Sequence, residues 1–364
     1  MTMPVTLHDA HRADGAVLAN DGIPQHYADP RADMLAAMQS AVIMDRSHEG
    51  RLQLTGRDRL ALPDRISTNA IEKLAPGSAA PTLFLTPNAR IIDRVTIGAL
   101  DESALMLTEP GRATAVETYL KRNTFYNDDM GVVDISAASR QFVLFGSNVA
   151  AIMAEFGIGT APLTLIETAI DGVRCIILHD KPFAGDPGQD MWRVIVPSAA
   201  PDYSEAARVW RALSAAGAAH ALRPTGSQTY FALRVRAGRP GVNAELSGEY
   251  IPLEIGLWDE ISFTKGCYTG QEIIARMESR RKLARTIIQV AILDGAIPVT
   301  PTALSLDGRE VGRLTSAVEE PFGARGGIAV VRLAAAQVDT LLTFDGGRAR
   351  IISRAGVQPD TIEE

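Results

Sequence analysis

The spacing of apolar and polar positions along this chain changes several times, and each change marks an element. Residues 1–30 are polar and irregular, and Pro30 then precedes a helical pattern over residues 33–40. Leu52 and Leu54 alternate with Arg51, Gln53 and Thr55, which predicts a half-buried strand with Arg51 on its wet side. Gly56 turns the chain into a short helix around Pro63. Two apolar runs separated by Thr86-Pro87-Asn88 predict a hairpin within residues 81–108, and Ala104-Leu105-Met106-Leu107-Thr108 adds a further strand. Residues 112–122 have helix composition.

A second block echoes the first. Asp45-Arg46-Ser47 precedes a strand, Gly56 and a helix; Asp134-Ile135-Ser136 precedes a strand, Gly146 and a helix. The blocks align with one gap, since nine positions separate Ser47 from Gly56 and ten separate Ser136 from Gly146. Two apolar strands (164–170 and 173–179), a third (190–196) and a helix over 202–217 complete this block. From residue 283 the pattern becomes short strands between Gly, Pro and Asp-Gly pairs, Asp307-Gly308 being a strong hairpin signal. The expectation is an α+β chain of three parts: a first α+β unit over 1–133, a related second unit over 134–282 that may be woven into the first, and a C-terminal antiparallel β-barrel over 283–364.

Composition narrows the function. The 364 residues carry 36 Lys plus Arg against 43 Asp plus Glu, a net charge of −7, which disfavours a general nucleic-acid or anionic-membrane binder. No run of residues reaches the roughly 18 apolar positions of a membrane span, and the first residues lack the apolar core of a secretory signal. The expected location is the cytoplasm. Cys175 and Cys267 are the only cysteines, so neither a disulfide scaffold nor a metal cluster held by this chain's thiols alone is expected, and no metal site is assigned. Cys175 sits in an alternating strand and reads as core.

The chemistry concentrates in residues 261–285. Gly266 and Gly270 bracket Cys267, which predicts a loop needing positive φ or close approach. Thr269 and Glu272 have capping-box spacing, which would open a helix two residues after the thiol. Lys265, one of five lysines, lies two residues before it. A lysine and a helix N-terminus both favour thiolate. Further on, Arg276, Arg280, Arg281, Lys282 and Arg285 face only Glu278, a basic stretch suited to an anion such as phosphate or polyglutamate. A packed or loop-shaping Cys267 and a merely solvated basic face are the bland alternatives. His48 and His179 are not oriented toward the thiol by anything local, so a Cys–His hydrolase is disfavoured.

The contiguous Lys265-Gly266-Cys267-Tyr268-Thr269-Gly270-Gln271-Glu272 resembles the signature of the YgfZ-type folate-binding proteins, iron–sulfur cluster assembly or repair factors related to the glycine-cleavage T-protein. Phe231-Ala232-Leu233-Arg234, Ala237-Gly238-Arg239-Pro240, Gly248 to Glu254, and Ile261-Ser262-Phe263 agree with it. Asp45 to Gly50, a faint Gly185-Asp186 with Gly188, and Glu310 to Ser316 resemble the T-protein, the likeness spanning most of 30–332. It implies a three-domain cloverleaf around a central channel that binds tetrahydrofolate. It implies reacting groups at Cys267, Lys265 and Asp93, folate contacts at Arg234, Glu254, Phe183, Gly270, Gln271 and Glu272, and iron–sulfur client proteins as partners. Two positions depart from the T-protein. Its paired aspartates, one catalytic, read Asp93-Arg94 here, and its pteridine-gripping glutamate is replaced by Arg236, which cannot accept hydrogen bonds. Three readings follow: a folate-binding accessory protein working through Cys267, an aminomethyltransferase using Asp93, and a binding protein with a structural Cys267.

Overall fold

The structure, a computed structural model, describes residues 6–27, 29–183, 188–198, 202–280 and 282–359. Two open sheets and a closed barrel carry the chain. The six-stranded sheet runs in the order Thr164–Ile170, Val173–Asp180, Asp190–Pro197, Ser139–Gly146, Ala41–Asp45 and Leu222–Thr225, the last strand parallel to its neighbour. Both faces are covered, so residues 41–45 are all buried: Ala41 and Ile43 face helices Leu7–Ala13 and Ser204–Gly217, Val42 and Met44 face helices Pro30–Gln39 and Ser227–Arg236. The five-stranded sheet runs Ala79–Leu85, Ile91–Ala99, Ala104–Thr108, Gly50–Thr55 and Gly131–Asp134. One face packs on helices Ala61–Ile66 and Ala113–Arg122, and the other, through Leu105 and Leu107, meets Leu165, Ile176 and Leu178 of the first sheet.

The echo in sequence is an echo in structure. The Asp45 carboxylate accepts the Ser47 amide at 2.9 Å, and the Asp134 carboxylate accepts the Ser136 amide at 2.8 Å. Each of these Asx turns hands the chain from one sheet to the other, so the chain enters the six-stranded sheet with 41–45, builds the five-stranded sheet, and returns with 139–146. Arg51, expected on the wet side of its strand, is instead fully buried. It lies between the two turns, where its guanidinium donates to the Ser136 carbonyl and the Ser139 hydroxyl, both at 2.7 Å, and to the Ser47 carbonyl at 3.1 Å.

Residues 285–354 close into a six-stranded barrel, and Asp307 (φ 50°) and Gly308 (φ 78°) form the primed turn that their sequence predicted. The N-terminal segment departs from its irregular expectation. Leu7–Ala13 is a helix capped by Thr6, and it buries Leu7, Ala10 and His11 on the six-stranded sheet. Among the described residues no helix is long and apolar enough to cross a membrane.

Candidate functional site

The lobes meet at a cavity of about 480 Å³. Helix Ser227–Arg236 supplies Tyr230, Phe231 and Arg234; the chain after the Asp45 turn supplies Arg46 and His48; Glu109 follows the strand Ala104–Thr108; the barrel closes the far side with Thr315 and Ser316. Tyr230 is buried and carries the Arg46 guanidinium 3.6 Å above its ring. Phe231 stays 39% exposed on the wall of the same cavity. Burial, reinforced by Arg46, pushes the His48 imidazole down to about 4, so it is neutral at physiological pH, and its Nδ1 is buried without a partner. Burial also raises the Glu109 carboxyl above its ordinary range.

Behind the cavity lies a buried charge network. Arg193 donates to Asp180 at 2.6 Å and also to Glu49, while Arg46 donates to Glu49 at 2.8 Å. Burial alone would raise the Glu49 carboxyl, but Arg193 and Arg46 hold it at about 2. Arg94 is locked in a bidentate pair with Glu260 at 2.7 Å. Sequence reasoning missed Glu49, Glu109 and Arg193 as site residues.

Asp93 is 1% exposed and accepts the Glu109 amide at 3.3 Å, but it does not line the cavity. Burial, with the Glu109 charge second, pushes its carboxyl up from 3.8 to about 8. An acid with a raised folded pKa holds its proton more tightly in the native state, so this group makes the fold lose stability as pH rises from its ordinary 3.8 toward about 8. Asp93→Asn, which mimics the protonated form, is expected to remove that loss. Melting temperatures between about pH 5 and about pH 9 check this; an unchanged slope in the variant would contradict it.

The remaining candidates separate in space. Cys267 is exposed and does not line the cavity. The helix after it is Gln271–Arg280, so the Thr269–Glu272 capping box does not form. Its place is taken by a turn in which the Gln271 amide bonds the Tyr268 carbonyl at 3.2 Å. Gly270, at φ 85°, presses on the hairpin turn, where a Cβ would meet the Thr86 carbonyl oxygen at 2.9 Å. Gly266 has no such constraint. Lys265 does not serve the thiol: its ammonium donates to the carbonyls of Asp64, Ser67 and Asn69, closing the C-terminal end of helix Ala61–Ile66. Gln271 is half-buried and Glu272 exposed at the start of the helix that follows.

Arg234 lines the cavity but is occupied by Glu245 at 3.0 Å, the Arg239 carbonyl at 2.9 Å and the Ser316 hydroxyl at 2.8 Å. A Cβ at Gly241 would strike that guanidinium at 2.6 Å, which explains the glycine. Phe183 packs behind Tyr230 with ring centroids 5.4 Å apart, outside the cavity. Glu254 is paired with Arg285 at 3.0 Å, holding the first barrel strand. Arg236 pairs with Glu320 at 3.2 Å in a separate cleft of about 560 Å³. Cys175 lies fully buried in the core of the six-stranded sheet, and burial pushes its thiol up to about 11. Gly185, Asp186 and Arg281 lie outside the described residues.

Comparison with known proteins agrees with this architecture. Residues 7–265 match the family model of the GCVT N-terminal domain, and residues 280–355 match that of the CAF17 C-terminal β-barrel domain. A chloroplastic protein of Arabidopsis thaliana classed as a transferase is 28% identical, covering 95% of this chain and 78% of its own length. The aminomethyltransferase of Desulforamulus reducens is 26% identical, covering 91% of this chain and 90% of its own. The crystal structure of glycine cleavage system aminomethyltransferase T from Bartonella henselae shares the fold, with a TM-score of 0.81 over 97% of both chains at 17% identity. The chain belongs to the GCVT family, as a member that joins the T-protein cloverleaf to a CAF17-type barrel in the manner of the YgfZ-type proteins.

Proposed function

We propose that this chain binds tetrahydrofolate, or a derivative of it, in the central cavity and supports iron–sulfur cluster assembly or repair through the thiol of Cys267. The observation that carries the folate half is the lining of the 480 Å³ cavity, whose volume lies within the usual range for a ligand of this size. A pterin needs an aromatic wall and an acceptor for its N–H edge; Tyr230 and Phe231 offer the first, and Glu109 the second. The orphaned Nδ1 of His48 is a further polar atom with room for a ligand bond. In this chain Glu109 takes the part that Arg236 cannot play.

The thiol half rests on placement. Cys267 is exposed, on a loop fixed by the Lys265 clamp and the Gly270 contact, so it is presented to other molecules. One thiolate cannot hold a cluster that normally takes four ligands, so it ligates transiently while a client supplies the rest. The reading places the protein in a reducing compartment, the cytoplasm, where such a thiol persists.

Aminomethyl transfer is the second reading, favoured by the named relatives. Against it stand Asp93, whose buried carboxyl is pushed up to about 8 and does not line the cavity, and Arg94, paired with Glu260. Incubation of the wild-type protein with 5-formyl-tetrahydrofolate in equilibrium dialysis is expected to show saturable binding. Incubation with an aminomethylated lipoyl carrier and tetrahydrofolate is expected to release no ammonia above background. No folate binding would sink the proposal, and folate-dependent ammonia release would replace it with the second reading.

A further inference from the structure

Two exposed features stand on the helical side of the five-stranded sheet, and the function proposed above uses one of them. The first is the Cys267 loop. The second is the loop 123–129 that follows helix Ala113–Arg122, where Phe125 is 62% exposed and Tyr126 fully exposed. We propose that Phe125 and Tyr126, together with the exposed Phe263 four residues before the thiol, are the docking surface for the iron–sulfur client protein while Cys267 reacts. The proposal rests on the thiol reading above and adds where the client is held.

Both loops are braced on one frame, the C-terminal end of helix Ala61–Ile66 and the residues after it. On one side Lys265 donates to the carbonyls of Asp64, Ser67 and Asn69, and the Ser262 amide donates to the Thr68 carbonyl at 2.9 Å. On the other side Arg65, in the last turn of the same helix, donates to both oxygens of Asp128 at 2.7 and 3.2 Å. Asp128 in turn accepts the Phe125 amide at 2.7 Å, and the Arg65 guanidinium lies 5.2 Å from the Phe125 ring centroid. Tyr119, one turn before this loop, lies against Thr269 of the thiol loop and donates to the Leu85 carbonyl at 3.2 Å. Residues 64–69 therefore fix the thiol through Lys265 and the rings through Arg65, and the two are presented together. Rings held in place before a partner arrives lose little freedom on binding.

The occupant follows from the chemistry of the surface. Tyr126 makes no ring or cation contact among the described residues, so its ring area is unspent. Large rings standing on an exposed loop, with Lys121, Arg122 and Asp129 exposed around them, have the make-up of a protein interface: aromatic anchors inside a polar rim of mixed sign. A net charge of −7 disfavours an anionic bilayer as the occupant. The thiol gives the direction. A cysteine that completes the coordination of another protein's cluster acts only while that protein is held beside it, and the rings share its frame. The client's matching face then offers an apolar pocket for the rings next to its cluster ligands.

The test compares Phe125→Ser/Tyr126→Ser with Cys267→Ala and with the exchange Phe125→Tyr/Tyr126→Phe, which keeps the ring area. The purified serine variant is expected to keep the wild-type melting temperature, affinity for 5-formyl-tetrahydrofolate and rate of thiol reaction with 5,5′-dithiobis(2-nitrobenzoate). In cells carrying only that variant, iron–sulfur enzyme activities are expected to fall about tenfold, as for loss of two aromatic anchors, while the exchange variant supports them normally. Normal activities with the serine variant, where Cys267→Ala abolishes them, would overturn the docking surface and leave the thiol reading intact. Normal activities with Cys267→Ala would overturn both. A lowered melting temperature, or an equal loss in the exchange variant, would assign the rings to the fold and overturn the surface. So would a wild-type dimer that the serine variant dissociates in sedimentation, or binding to phosphatidylcholine vesicles that it loses, which would assign the rings to a second copy or to a membrane.

Discussion

Replacing Cys267 with alanine is expected to leave folding and folate affinity at wild-type levels while abolishing the protein's support of iron–sulfur enzymes in cells. The side chain is exposed, so its loss opens no cavity, and the stability change should stay within about 0.5 kcal/mol. The loop geometry survives because Lys265 and Gly270 set it, not the thiol. Folate affinity survives because Cys267 does not line the central cavity. What disappears is the one accessible thiol among the described residues, since Cys175 is locked in a core with its proton held to about 11. Activities of iron–sulfur enzymes in cells carrying only the variant give the readout. Normal activities would assign Cys267 to loop shape alone.

Arg193→Ala is expected to destabilise the fold by about 3–5 kcal/mol, because it strands buried carboxylates rather than removing a surface pair. Asp180 loses its 2.6 Å partner, and Glu49, 4% exposed, keeps only Arg46 and Gln141. The pH dependence distinguishes this cause from a packing defect. In the wild type, Glu49 is held at about 2 against an ordinary 4.5, so its contribution is complete above 4.5 and is lost as pH falls toward 2. In the variant, desolvation dominates, the carboxyl rises, and mild acid should restore part of the lost stability. Urea titrations at neutral pH and at about pH 5 check both statements. A loss under about 1 kcal/mol at neutral pH would mean that the network is not the keystone of the lobe junction.

Local signals carried much of the fold into the sequence. Asp307-Gly308 announces its turn because the primed geometry needs left-handed residues at both positions. Asp45-Arg46-Ser47 and Asp134-Ile135-Ser136 announce a repeat because an Asx turn is a property of three adjacent residues. Non-local pairing was not legible in that way. The parallel match of Leu222–Thr225 to Ala41–Asp45 joins segments about 180 residues apart, and only the assembled sheet reveals it. The helix Leu7–Ala13 was hidden because its buried face includes His11, a residue that reads as polar.

The site follows the same division. The thiol motif was readable because its residues are contiguous, and the exposure of Cys267 accords with its glycine-bracketed setting. The meaning of Lys265 was not, since the three carbonyls it holds belong to residues 64–69. Arg51 read as the polar side of a half-buried strand, and Glu49 and Arg193 were not singled out as site residues. They are buried because the lobes converge on them, which a periodicity taken one strand at a time does not register. The charged run Asp45-Arg46-Ser47-His48-Glu49-Gly50-Arg51, set between apolar strands, is a signal that could have pointed to such a junction and was not used for it.

The claim at the centre is that the cavity at the lobe junction holds a reduced folate with its pterin edge on Glu109. Calorimetric titration of the wild type and of Glu109→Gln with 5-formyl-tetrahydrofolate tests it most directly. One saturable site is expected in the wild type, with about tenfold or greater weakening in the variant, as for loss of a charge-assisted bond, at an unchanged melting temperature. A wild type that shows no binding, or a variant that binds as tightly as the wild type, would contradict it.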